Sequence, residues 1–356
     1  AARVALAVRD RPVGRVREVR VVAVRIPSTV HLHSSSYRPL GCSIGRDRHG
    51  LSMRVSRVTR IAPVFATQSE SVGGEETFPV TEKLSLLLPV WAGDRPDFLT
   101  EAFRSTVTEQ TRRPDHVVIV RDGPVTPALA ACIAELAASS PVPVDVVTLE
   151  SNVGLGPALD AGLEACRHDV VARMDADDIS LPHRFAVQMP MIESGLDLVG
   201  SGLIEFGTHA GDVVGTRTPP TDPADIDARA RFADPFNHPT VVYRRDLVRS
   251  VGGYTDFALM EDYLLWAKMI VAGARVGNVA EPLVQYRVGA GAYARRGGLA
   301  QLRAELAVQR RFRRIGFTTR VQFLRNVAVR GGYRLVPERV RRLAYRRVIA
   351  TYRERS

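Results

Sequence analysis

Three carboxylates fall within four residues in the run Asp175-Ala176-Asp177-Asp178. Charges that close repel one another, and the run costs stability unless a cation or a cationic side chain offsets it. Hard oxygen donors of this kind suit Mg²⁺ or Mn²⁺, and a cation held by only one or two carboxylates keeps positions for diphosphate oxygens. The same run also reads as an acidic turn in which Asp178 or Ser180 caps a helix after Pro182. Taken alone, it does not choose. Arg121-Asp122-Gly123-Pro124 offers a further carboxylate for a base or ribose, and reads equally as a plain Asp-Gly turn. Asn152-Val153-Gly154-Leu155-Gly156 opens a helix with a GxG, but the third glycine of a dinucleotide fingerprint is missing and the motif follows the third strand, not the first. A Rossmann dehydrogenase is excluded on that ground.

Positioning falls to an alternating set of segments. Leu84–Val90 is a short apolar run closed by the loop Ala92-Gly93-Asp94-Arg95-Pro96, which predicts a buried strand. Phe98–Gln110 follows with an apolar helical face, and His116–Val120 predicts a second buried strand. Pro127–Ala138 reads as helix, Val144–Leu149 as strand, Gly156–Cys166 as helix and Val170–Met174 as a fourth strand. Strands alternating with helices of this length make a parallel sheet with right-handed crossovers. Ligands of such sheets sit beyond the carboxyl ends of the strands, which is where Asp122 and the Asp175–Asp178 run fall.

The series LLLPVW, FLTEAFRSTVTEQT, VVIVRDG, NVGLGPALDAGLEAC and RMDADDISLPHR resembles the nucleotide-binding half of family 2 glycosyltransferases of the GT-A fold. NHPTVVYRRD, GGYTDFALMEDYLLWAKM and EPLVQYRVG resemble the acceptor half, in the family's order and spacing over about residues 83–290. The resemblance implies an α/β fold: a Rossmann-like, mostly parallel sheet flanked by helices, with a nucleotide-binding half at 83–180 and an acceptor half at 181–290. It implies that Pro89, Asp122, Asp175 and Arg287 contact the nucleotide, with Asp122 reading the base and Asp175 facing the ribose. Asp177, with Asp175, would hold Mg²⁺ or Mn²⁺, whose charge assists loss of the nucleoside diphosphate. The Glu261-Asp262 pair would supply the base that takes the proton of an acceptor hydroxyl, with Asp262 the chosen group; the pair also reads as a charged first turn favourable to the helix dipole. One base and no covalent intermediate implies inversion. His238 and Gln285 become acceptor-side candidates, His238 reading equally as a turn residue before Pro239.

Two departures from the family stand out. A histidine common two residues past the YR is replaced by Gly289, and the frequently acidic position before Asp122 is Arg121. Two rival readings stay open. A GT-A-like nucleotidyltransferase would need a longer Gly-rich, basic loop after the first strand, and a catalytically silent saccharide-binding homologue would be expected to lose carboxylates that this chain keeps.

The net charge of +11 is unevenly spread. Residues 1–80 carry +7 and residues 291–356 carry +15, leaving −11 for residues 81–290. An acidic middle with basic ends is unlike a nucleic-acid module, so no nucleic-acid partner is expected; the partners implied are a nucleotide-sugar donor and a glycan or glycolipid acceptor. Residues 1–80 lack a sustained period and predict a basic N-terminal extension with little fixed structure, loosely like a transit peptide or an upstream addition. Residues 291–356 begin like the exopolysaccharide, amylovoran-type members and continue as a basic amphipathic helical tail. Its 300–356 segment could lie on an anionic membrane or pack on the core with a solvated basic face. The three cysteines, Cys42, Cys132 and Cys166, show neither CxxC nor zinc spacing, and no apolar run reaches the roughly 18 to 20 residues of a membrane span. A cytoplasmic protein, placed at most on the cytoplasmic face of the membrane, is the expectation.

Overall fold

All of Leu84–Val90 is buried, because this strand has strand neighbours on both edges and helices on both faces. A computed structural model describes residues 81–207, 209, 211–257, 259–288 and 299–335. Expectations for residues 1–80, for Gly289 and for residues 336–356 lie outside the described residues. The first half alternates as the periodicity predicts: β1 (Leu84–Trp91), α1 (Pro96–Phe103, continued by a π-type turn to Thr108), β2 (His116–Asp122), α2 (Pro127–Ser139), β3 (Val144–Thr148), α3 (Leu155–Ala165) and β4 (Val170–Arg173). The second half runs β5 (Ile179–Ser180), α4 (Arg184–Glu193), β6 (Leu198–Phe206), β7 (Val213–Arg217), α5 (Pro223–Ala230), β8 (Val242–Arg244), α6 (Arg245–Ser250), α7 (Glu261–Val271), β9 (Val276–Arg287), α8 (Leu299–Arg314) and α9 (Arg320–Asn326).

The strands form one sheet in the order β3-β2-β1-β4-β8-β6-β9-β5, with β7 on β6. β3, β2, β1 and β4 are mutually parallel, whereas β8 pairs antiparallel with both β4 and β6. The chain advances outward from β1 to β3 and then returns through α3 to β4 on the other side of β1. That reversal opens a crevice at the carboxyl ends of β1 and β4, the position where such sheets bind ligands.

Two apolar layers hold the sheet. On one face Leu99, Phe103, Leu129, Phe185 and Met189 pack against Leu86, Leu88 and Ile119; on the other, Leu159, Leu163, Leu265 and Trp266 pack against Leu87, Val118 and Val171. Pro89 is tolerated within the central strand because β4 pairs only with Leu84–Leu87, so its missing N–H costs no ladder bond on that side.

At the opposite, amino ends of the strands, His116 joins three of them. Ser85 Oγ lies 3.3 Å from its Nδ1 and Asp145 Oδ2 lies 3.0 Å from its Nε2. A Ser-His-Asp set could be mistaken for a nucleophilic triad, but Ser85 and His116 are fully buried and Arg167 grips Asp145, so the set fixes the starts of β1, β2 and β3.

The carboxy-terminal helices pack on the core. Phe312 of α8 meets Tyr263 of α7 at 4.6 Å between ring centroids, and Glu305 accepts from Arg330 at 2.7 and 3.0 Å. α9 still leaves Val321 77% and Leu324 66% exposed. Cys132 and Cys166 are unbridged, and among the described residues no helix is long and apolar enough to cross a membrane.

Candidate active site

The crevice holds a cavity of about 350 Å³, lined among others by Pro89, Trp91, Asp94, Asp122, Asp175 and Asp177. β1, β2 and β4 each deliver part of it from their carboxyl ends. Trp91 is 55% exposed at its edge, a planar apolar face fit for a base.

Asp122 ends β2 and is nearly buried. Its Oδ1 accepts from Val153 N at 2.7 Å, and its Oδ2 from Gly154 N at 3.1 Å and the Asn152 amide at 3.0 Å. The carboxylate therefore shapes the Asn152–Gly154 loop as well as lining the cavity. Gly123 is required beside it: its φ is +82°, and a Cβ there would lie 2.4 Å from Asn152 N. The loop delivers the start of α3, which has no side-chain cap, to the cavity wall. A helix start of this kind favours an anion such as a diphosphate.

The acidic run divides. Asp175 and Asp177 line the cavity, while Asp178 is buried and accepts from Arg287 N at 2.8 Å. Neither Asp178 nor Ser180 caps α4, whose preceding residue is His183 with no side-chain cap bond. Burial pushes the Asp177 carboxyl up to about 6, with the Asp175 charge adding to it. Burial likewise pushes Asp94 up to about 6, against the Trp91 N–H it accepts, with Asp177 and Asp175 adding their repulsion. Carboxylates gathered in one cavity suit a divalent cation, and Asp175 and Asp177 could hold one with phosphate oxygens completing its shell. Among the described residues no group of three or more His, Cys, Asp or Glu is arranged to hold a metal by itself.

Glu261 and Asp262 begin α7. Gly156, in the first turn of α3, lies close to the chain before α7 and to Glu261: a Cβ there would lie 2.6 Å from Thr255 O and 3.3 Å from Glu261 Cβ. Asp262 Oδ1 accepts from Tyr263 N at 2.7 Å, and His238 Nδ1 stands 3.6 Å from its Oδ2. Burial, aided by Arg173, holds His238 well below its ordinary pKa, and its Nε2 lies 3.1 Å from the Tyr254 hydroxyl. Burial and then the Asp262 charge push Glu261 up to about 7. Leu259, just before this turn, holds φ at +75°, a conformation leucine rarely adopts.

Arg287 and Gln285 lie on β9. The Arg287 guanidinium donates to Asp177 O at 2.8 Å and to Glu101 Oε2 at 2.7 Å, stacked between Phe98 and Phe206. It lines a neighbouring cavity. Gln285 pairs with Ile179, and its buried Oε1 has no hydrogen-bond partner among the described residues.

Trp91, Asp94 and Asn152 belong to the cavity without having been singled out in the sequence. Asp94 had a usable signal, since it lies in the loop directly after a strand, where polar residues reach ligands.

The cavity is acid-lined and lies at the switch point of an open α/β sheet, the place where such folds bind nucleotides. The fold is that of the 1–349 fragment of S. aureus TarS in complex with UDP-GlcNAc, at TM-score 0.50 and 18% identity, covering 64% of this chain and 65% of that one, just under two thirds of its length. Residues 85–251 match Glycosyl transferase family 2. The chain is 36% identical to the amylovoran biosynthesis glycosyltransferase AmsE of Erwinia amylovora, over 73% of this chain and 97% of that protein. It is 34% identical to the UDP-Gal:alpha-D-GlcNAc-diphosphoundecaprenol beta-1,3-galactosyltransferase of Escherichia coli, over 76% of this chain and 98% of that one. The chain belongs to glycosyltransferase family 2.

Proposed function

We propose that this protein transfers a sugar from a UDP-sugar to a hydroxyl of a glycan or lipid-linked saccharide, with inversion, in the assembly of a cell-surface polysaccharide. The Escherichia coli relative is named for a UDP-Gal donor and a GlcNAc-diphosphoundecaprenol acceptor, which supports the donor and acceptor classes. The observation that carries this reading is the gathering of Asp94, Asp122, Asp175 and Asp177 in one cavity at the carboxyl ends of β1, β2 and β4.

Within that reading Pro89, Trp91 and Asp122 border the base, Asp175 faces the ribose, and Asp177 holds Mg²⁺ or Mn²⁺. The cation supplies charge neutralisation for the departing diphosphate. The α3 start and its backbone N–H groups orient the same anion. Asp262 accepts the proton of the acceptor hydroxyl as it attacks the anomeric carbon from the opposite side, giving inversion. Burial raises both carboxyls of the pair, Glu261 up to about 7. His238 holds Asp262 in place. Gln285 lies on the acceptor side, and Arg287, bound to Asp177 O, supports the diphosphate end of the site by holding the Asp177 backbone.

The exposed Val321 and Leu324 of α9, beside Arg320 and Arg325, form a basic and apolar surface suited to an anionic bilayer on the cytoplasmic face, where a lipid-linked acceptor would lie. The functional reading is tested with a panel of nucleotide sugars and Mn²⁺. Release of UDP from one or two UDP-sugars, stimulated by a diphosphoundecaprenol-linked saccharide, is expected; turnover of no nucleotide sugar would refute it.

A further inference from the structure

β4 is buried along its whole length, yet it ends on an arginine. Arg173 is 1% exposed, and a guanidinium is kept inside a protein only where a charge answers it. The answer is Asp175, two residues on. Arg173 Nη1 donates to Asp175 Oδ2 at 2.7 Å, and its Nη2 stands 2.5 Å from Asp175 Oδ1, a two-point grip on one carboxylate. The backbone of Arg173 is fixed as well: its N donates to Val241 O at 3.0 Å, and its O accepts from Arg184 Nη2 at 2.8 Å. Its Nε is buried and has no hydrogen-bond partner among the described residues.

Asp177 is held differently. Its backbone carbonyl accepts from Arg287 Nε at 2.8 Å, and its carboxylate lies on the cavity wall. The Arg173 charge also reaches the acceptor side, where it opposes the rise that burial imposes on Glu261 and Asp262. One guanidinium at the end of β4 thus faces both halves of the site.

We propose that Arg173 is a positioning residue that locks the Asp175 carboxylate in one orientation on the nucleoside side of the cavity, leaving Asp177 as the carboxylate that takes the divalent cation. The proposal rests on the reading of this cavity as a nucleotide-sugar site. A planar guanidinium can impose that orientation through two parallel contacts; an ammonium cannot. Released from the grip, Asp175 turns toward the cation, and the ribose loses its partner.

The test is a double-mutant cycle on Arg173→Gln and Asp175→Asn, with UDP affinity measured by calorimetry in Mn²⁺ and with kcat and KM for the donor. Arg173→Lys serves as the charge-keeping comparison. Each single change is expected to weaken UDP binding about tenfold, and the double variant to be no worse than Asp175→Asn alone, because Arg173 acts through Asp175. Arg173→Lys, which keeps the charge but not the fork, is expected to raise the donor KM about as much as Arg173→Gln. Mn²⁺ binding in the presence of UDP, read by paramagnetic resonance, is expected to survive Asp175→Asn and to be lost in Asp177→Asn. Additive effects in the cycle, or equal Mn²⁺ loss in the two aspartate variants, would overturn the proposal. So would failure of both Arg173→Lys and Arg173→Gln to fold, since the residue would then serve the fold alone. Wild-type protein that binds no UDP would instead sink the donor-site reading itself.

Discussion

His238 Nδ1 faces Asp262 Oδ2 at 3.6 Å from within a set of aromatic rings, Tyr254 and Trp266 among them. Burial pushes the imidazole pKa well down, and the ring packs beside the carboxylate. His238→Ala is expected to leave UDP affinity within about twofold and to lower transfer roughly tenfold, about 1.4 kcal/mol of barrier, as Asp262 loses the neighbour that positions it. Calorimetry and steady-state rates on the same preparation check it. Loss of UDP binding would place His238 in the donor site.

Glu261 predicts a dependence of stability on pH. Its carboxyl ionises near about 7 in the folded protein, against an ordinary value of 4.5. Between those values the unfolded chain has lost the proton that the folded chain keeps, so stability falls as pH rises from about 4.5 to about 7 and is flat above. Asp94 and Asp177, both near about 6, act in the same direction. Melting temperatures of metal-free wild type and Glu261→Gln at pH 5 and pH 8 should show a smaller drop in the variant; equal drops would contradict the assignment.

Asp177→Asn removes the carboxylate assigned to the cation. Turnover with Mn²⁺ is expected to fall by at least about a hundredfold, the loss of leaving-group stabilisation being several kcal/mol, and EDTA should silence the wild type. Full wild-type rates in EDTA would exclude a divalent cation from the reaction.

The surface of α9 predicts partition to membranes. Val321→Glu with Leu324→Glu should reduce co-sedimentation with phosphatidylglycerol vesicles while leaving turnover of a water-soluble acceptor unchanged, since both side chains are exposed. Unchanged co-sedimentation would remove this surface from the account.

Much of the sheet was legible because its strands are local signals. Leu84–Val90 and His116–Val120 read as buried strands from their own residues, and Asp122 and Asp175 fall at the strand ends where ligand-facing groups belong. What lay beyond reach depends on contacts between distant segments. β8 joins the sheet antiparallel beside β4, a pairing of residues about seventy positions apart that no local period encodes. Arg287 makes a contact with Glu101, 186 residues earlier, that no local period encodes. Asp94 reads as a loop residue until the Trp91 N–H turns it into the cavity at 2.9 Å. Arg173 gives the least signal of all: an arginine at the end of an apolar strand reads as a solvated terminus, and only the fold shows it buried against Asp175.

The base is the centre of the account, and Asp262→Asn tests it most directly. Donor affinity and transfer rate measured on that variant should separate, because the nucleotide contacts fall to Asp122, Asp175 and Asp177 while the acceptor proton falls to Asp262. UDP affinity is expected to stay within about twofold of wild type, and transfer to drop by roughly 10² to 10⁴, the usual contribution of a positioned base. Transfer at a near-normal rate by Asp262→Asn would contradict the assignment.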